Sequence, residues 1–386
     1  MMKKTIISVA LAALFFAPSF AHADEARPWL VTFAANYGKW NSGDTGGDGS
    51  QALGLTQVVY DTSSWGAALT ANYAKTYYKV SDTQENALDI SSITDTNVNV
   101  YRNFISSNIK LKTGLDVNLP TGKHGYSSTE ISKLIVDDIN QDLMLVNAYG
   151  GGLNFGPYAL LALDTDTFSA GAGIKYSIMG EYDPTSDNPN DSFRPGDRLL
   201  VLVNGMMKVS GSNFLLATAT YTYAGRDKTA GNDVYRSGDL FGLEARYVVR
   251  WEQNFESSFG LVTSWQGKSE RLDGNGAMNP ESGNSNGNVI QLFVNNIYKY
   301  SDKITLTGVA GYRQVSSNGY ALGDGLYDGG RTKMYLEPGM VWHFSNDMYA
   351  TAKLRYGRVS DKKDAFSPVD AVYNIYNLDA SLVYGF

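Results

Sequence analysis

From residue 29 to the carboxyl end, apolar and polar positions alternate along most of the chain. The last segment is the clearest. Val372, Tyr376, Leu378, Ala380, Leu382, Tyr384 and Phe386 share one face, while Tyr373, Asn377, Asp379, Ser381 and Gly385 share the other. A period of two means a β-strand with one apolar face. Upstream, Thr332, Met334, Leu336, Met340, Trp342 and Phe344 alternate with Arg331, Lys333, Tyr335, Glu337 and His343. Then Met348, Ala350, Ala352, Leu354 and Tyr356 alternate with Thr351, Lys353 and Arg355. Only Ser345 to Asp347 separates these two strands, which makes a tight turn. A charged face opposite an apolar face fits a water-filled lumen inside lipid. A soluble sandwich alternates too, so single strands do not separate the cases.

The rhythm of connections does. The pattern predicts strands over 29–41, 51–61, 64–79, 95–105, 108–120, 146–163, 167–182, 196–209, 212–225, 238–253, 256–270, 287–300, 302–316, 331–344, 347–359 and 370–386. Long connections (42–50, 80–94, 121–145, 183–195, 226–237, 271–286, 317–330, 360–369) alternate with turns of a few residues. Short periplasmic turns and long extracellular loops mark a bacterial outer-membrane barrel. The expected fold is therefore all-β: a transmembrane antiparallel up-and-down β-barrel of about 16 strands, the size that begins to leave an aqueous channel.

Composition agrees. Twenty-six Tyr and 40 Gly accompany only 10 Pro, and there is no Cys, so disulfides and thiolate metal sites are excluded. Residues 1–23 read as a cleavable signal: Lys3 and Lys4, an apolar run from Thr5 to Phe20, and Ala21-His22-Ala23. That run is short of the ~20 residues a spanning helix needs. Loss of the two lysines takes the net charge from −7 to −9, an unfavourable balance for nucleic acid. Residues 24–386 are expected to form one barrel domain, with five residues before the first strand, too few for an N-terminal plug.

Strand parity gives candidate pore-lining residues: Lys110, Lys112, Asp116, Lys175, Glu181, Glu244, Arg246, Arg250, Glu252, Lys303, Arg313, Arg331, Lys333, Glu337, Lys353 and Arg355. Such residues either orient polar or anionic solutes or form cross-strand ion pairs that stiffen the wall. The longest loop, 121–145, holds a capping box, Ser127-x-x-Glu130. Ile131, Leu134, Ile135, Ile139 and Leu143 follow at helical spacing. A short amphipathic helix there either folds into the mouth as a constriction, with Ile131, Leu134, Ile135 and Ile139 as the candidate residues, or caps the barrel from outside. Leu119-Pro120-Thr121-Gly122 reads as the place where the fifth strand stops, Pro120 leaving the ladder and Gly122 letting the chain turn. Asp/Gly/Asn-rich loops at 42–50 and 272–288 lack the EF-hand pattern and read as turns.

No cofactor is expected, and no enzyme. The mature chain has two histidines, His124 and His343, and no nucleophile motif around its serines. Four segments, TDTNVNVYRNF (94–104), GLDVNLPTGK (114–123), GAGIKYSIMGEYDP (171–184) and RPGDRLLVLVNG (194–205), resemble the outer-membrane "meta-pathway of phenol degradation" transporter-like family. That family is distantly similar to long-chain fatty-acid transporter barrels. The resemblance implies passage of small hydrophobic or aromatic compounds through a monomeric barrel.

The leading functional expectation is an outer-membrane channel for passive or loop-gated passage of small solutes. The alternatives are a barrel that sheathes a lumenal or periplasmic protein, such as a multihaem cytochrome, and a loop-mediated adhesin or receptor. Small inward residues (Gly66, Ala68, Thr70, Ser169, Gly171, Gly173) keep the sheath open as a reading. Expected partners are membrane lipid and lipopolysaccharide, a small-molecule solute, and the barrel-assembly machinery through the terminal Phe386.

Overall fold

A computed structural model of the chain describes residues 28–43, 47–79, 88–131, 134, 139–165, 167–186, 192–365 and 367–386. The expected signal segment, residues 1–23, lies outside them. The first eight strands are β1 (Trp29–Ser42), β2 (Asp48–Asp61), β3 (Trp65–Lys79), β4 (Thr96–Ser106), β5 (Ile109–Leu119), β6 (Asn154–Asp164), β7 (Phe168–Ser177) and β8 (Arg198–Ser210). The second eight are β9 (Asn213–Ala224), β10 (Leu240–Glu252), β11 (Phe255–Gln266), β12 (Val289–Lys299), β13 (Ile304–Val315), β14 (Arg331–His343), β15 (Met348–Asp361) and β16 (Ala371–Gly385). Each pairs antiparallel with the next, and β1 pairs with β16 from Leu30↔Gly385 to Ser42↔Tyr373. The sheet thus closes into a barrel of sixteen strands with no free edge.

β4 is interrupted. Leu88–Ile93 pairs with the outer half of β3 and Thr96–Ser106 with its inner half. The break falls at Thr94 and Asp95, where the Asp95 amide donates to the Tyr149 carbonyl at 2.9 Å instead of to a neighbouring strand.

Parity sorts the wall as period two requires. Phe33, Leu69, Val100, Leu115, Ile174, Val203, Leu292, Leu336, Leu354 and Leu378 are exposed on the outer face. Aromatic rings gather at the short-turn end, where Trp29 stacks on Phe386 (6.5 Å between centroids) and Trp342 on Phe344 (5.1 Å). Near the opposite rim Tyr356 meets Tyr376 at 5.3 Å. An apolar belt between two aromatic girdles is the outer wall of a membrane-spanning barrel, and the chain is a multi-pass barrel of the bacterial outer membrane.

The extracellular loops carry structure that strand periodicity does not predict. Phe193–Arg194, Arg226–Thr229, Asn232–Arg236, Glu270–Leu272 and Met278–Pro280 pair into a second, five-stranded sheet. The segments are two to five residues long, too short for alternation to register. Two expected strands differ most from their predicted bounds. β6 begins at Asn154 rather than 146, and β7 stops at Ser177 rather than 182.

The outer face has a direct energetic consequence. Leu336→Arg, near the middle of β14 on the lipid side, should cost about 2–4 kcal/mol of stability. Urea unfolding in lipid vesicles would measure it, and a loss no larger than that of a rim substitution would misplace the belt.

Candidate functional site

The candidate site is the loop between β5 and β6, residues 120–153. Its foot is built around Asp95. One carboxylate oxygen of Asp95 accepts from the Gly122 amide at 2.9 Å. The other accepts from the Gly151 amide and the Asn118 side chain, both at 2.7 Å. A single side chain thus ties both ends of the loop together. Gly122 serves close approach rather than turning: a Cβ there would sit 2.0 Å from the Tyr149 carbonyl oxygen.

Inside the foot the capping box forms. The Ser127 amide donates to Glu130 Oε2 at 2.9 Å, and the Glu130 amide donates back to Ser127 Oγ at 3.3 Å. It opens α1 (Ser128–Ile131), and a second single turn, α2 (Asn140–Leu143), follows. Among the described residues these two turns and a helical Leu134 fall within the region expected to be one helix, and residues 132–133 and 135–138 lie outside the description.

The loop then meets three parts of the wall. On β2, Gln51 is 2% exposed and replaces a strand partner. Its Nε2 donates to the Val146 carbonyl (2.6 Å) and to Thr76 Oγ1 (2.7 Å), and its Oε1 accepts from the Leu145 and Val146 amides, both at 2.9 Å. On the β16 and β1 side, Leu134, Ile139, Leu143 and Met144 are buried in one cluster with Trp40, Tyr78, Val359, Tyr373 and Ile375. Ile131 packs against that cluster partly buried, and Ile135 lies outside the described residues. The described residues of the apolar stripe thus pack against side chains of β1, β3, β15 and β16.

The third contact is ionic. The Asp142 carboxylate, 4% exposed, accepts from Arg313 Nη1 at 2.5 and 2.6 Å and from Arg331 Nε at 2.7 Å. Lys333 Nζ donates to the Asp142 carbonyl at 2.8 Å and lies 3.6 Å from its carboxylate. Burial alone would raise the Asp142 pKa. Arg313, Lys333 and Arg331 outweigh it and hold the carboxyl well below the usual carboxylate range.

The remaining parity-predicted residues fall into local pairs. Glu337 receives Arg355 Nη2 at 2.5 Å and Lys353 Nζ at 3.5 Å. Lys175 pairs with Asp116, and Lys110 Nζ with Asp164 at 3.1 Å. Lys112 Nζ lies 4.0 Å above the Tyr101 ring. Arg246 binds Glu244 and stacks 5.1 Å from Phe293. Arg250 pairs with Glu256 at 3.3 Å at the short-turn end, where Glu252 is exposed. Two positions need correction. Glu181 lies beyond the end of β7, exposed in a loop, because Asp197 takes the Met179 amide at 3.0 Å and draws the chain away from the ladder. Lys303 sits exposed in the turn before β13.

Parity reasoning missed Asp95, Gln51, Tyr126 and Asp142. Tyr126 is 1% exposed, and its hydroxyl accepts from the Tyr149 amide at 2.7 Å. Asp142 was foreshadowed only by its place beside Leu143: burying that stripe must bury the acid or pair it.

No family model matches the chain, and no curated protein matches it. Solved structures align with it over most of its length, three of them at 9–11% identity. A bacterial polysaccharide outer membrane secretin is 9% identical with a TM-score of 0.48, over 92% of this chain and 98% of that one. The P. putida toluene transporter TodX is 11% identical (TM-score 0.41, 93% and 89% covered). The CymD monoaromatic hydrocarbon channel is 11% identical (0.43, 92% and 88%).

A lowered carboxyl pKa fixes the pH response of the clamp. Its contribution is present above the unfolded aspartate value of about 3.9 and is lost only as pH falls through the lower folded value. Between about pH 7 and pH 4 the loop should therefore stay seated. Limited proteolysis of the 120–153 loop across that range checks it; cleavage that rises by pH 5 would contradict the clamp.

Proposed function

We propose that this chain is an outer-membrane channel for small solutes whose bore is closed by the 120–153 loop. One observation carries the reading. The loop is rooted between β5 and β6, and Asp142 binds β13 and β14, eight strands further round a barrel of sixteen. A segment that joins opposite walls from within crosses the path a solute would take. Surface loops that merely decorate a rim need no buried ion pair at the far side.

The wall beneath supports the same reading. Inward positions of β13, β14 and β15 hold Arg313, Arg331, Lys333, Lys353 and Arg355 against Glu337 and Asp361. Aromatic rings share the inner face: Tyr101, Tyr158, Phe293 and Tyr335. Cations beside rings suit a compact solute with an apolar body and a negative or polar end. This is compatible with the aromatic solutes implied by the family resemblance, and it adds charge to them.

The sheath reading draws less support. Gly66 lies under the Tyr101 ring, Gly171 beside Asn204 and Gly173 beside Leu160. Small inward residues here make room for neighbouring side chains rather than for a second protein.

Replacing residues 123–150 by a short Gly/Ser linker should raise single-channel conductance in planar bilayers severalfold. A barrel that stays silent without the loop would contradict the channel. Independently, Arg331→Glu combined with Arg355→Glu should move the reversal potential in a salt gradient towards cation selectivity. An unchanged potential would place these residues off the ion path.

A further inference from the structure

The three cations around Asp142 all belong to the barrel wall, whereas the acid belongs to the loop. Arg313 and Arg331 present guanidinium donors to both carboxylate oxygens, and Lys333 closes the third side. This is the donor set that recognises a carboxylate. It is rigid, because strands β13 and β14 hold it in register at Arg313↔Lys333 and Val315↔Arg331. With the loop seated, Arg331 is 6% and Lys333 14% exposed. Arg331 faces Asp361 across the β14–β15 register, so the rim carries its own acid. Three clustered cations beside one wall acid still call for an anion when the loop is withdrawn.

The carboxylate now in place comes with an apolar body. Leu143 and Met144, the next two residues, are buried at 4% and 6% exposure. The occupant seen here is thus a negative head followed directly by hydrophobic side chains, which are buried in the cluster with Trp40, Tyr373 and Ile375.

The geometry points to a solute site: Arg313, Arg331 and Lys333 bind the carboxylate of a small aromatic or aliphatic acid, and Asp142 is the chain's own occupant of that site. This rests on the channel reading and names its substrate class. Solute and loop compete for the same donors, so a carboxylate solute favours the open bore, whereas a neutral analogue of the same shape does not.

Benzoate binding to the full-length, detergent-folded barrel tests this by titration calorimetry. In the wild-type protein the site is filled, and apparent affinity is reduced by the fraction of molecules with the loop withdrawn. Asp142→Asn keeps the shape and removes the charge; it should bind benzoate at least about tenfold more tightly than wild type. Asp142→Ala should do the same, which covers the case in which one variant folds poorly. Benzyl alcohol should gain nothing in either variant, and adding Arg313→Gln should abolish the gain for benzoate. Equal benzoate affinity in wild type and both Asp142 variants would overturn the site. So would a gain that survives Arg313→Gln or that benzyl alcohol shares. Conductance of the barrel with residues 123–150 replaced separates the two readings: if that barrel is silent while benzoate binds the full-length protein and its variants as described, the channel is sunk and the binding site stands.

Discussion

The seating of the 120–153 loop depends on the ion cluster at Asp142. A loop of more than thirty residues has a large conformational entropy to lose on settling in one place. Apolar packing of Leu134, Ile139 and Leu143 draws it inward without specifying one position. The carboxylate does specify one, because three wall cations converge on a single loop residue. A buried charge cluster of this kind adds little net stability over a hydrophobic substitute, but losing one partner costs about 3–5 kcal/mol. Asp142 thus acts as a positional lock whose release has a definite free-energy cost.

The other anchors make the lock effective. Asp95, at the interruption of β4, gathers the two ends of the loop. Gln51 gives the 145–146 backbone the hydrogen bonds that a strand would have given. Buried backbone groups need partners, and a loop crossing a barrel has no strand beside it. Foot, flank and far wall together fix this segment.

Much of this was legible in the sequence, and the division is physical. Strand alternation follows from local chemistry, so the sixteen spans and their outward residues, such as Leu336, Leu354 and Leu378, could be read directly. The capping box at Ser127 and Glu130 is equally local and is formed. What the chain did not disclose was contact at long range. Asp142 and Arg331 are 189 residues apart, and no periodic pattern links them. Gln51 and Asp95 looked like ordinary strand and turn residues because their partners are backbone amides in another part of the chain. Glu181 was misplaced for a related reason: parity was extended past the point where Asp197 ends β7. The family resemblance stands on short motifs, of which Leu119-Pro120-Thr121-Gly122 has a structural meaning of its own as the foot of the loop.

The central claim is that the loop reaches the opposite wall while the barrel sits in a membrane. Hydrogen exchange of the native protein in vesicles tests it most directly, because the Leu145 and Val146 amides are bonded only while the loop is seated. These amides should be protected in the wild-type protein and should exchange faster in both Asp142→Asn and Arg313→Gln, since Arg313 lies on the wall opposite the root of the loop. Loop amides that exchange as fast as free chain in the wild-type protein, or that Arg313→Gln leaves unchanged, would contradict the seated loop.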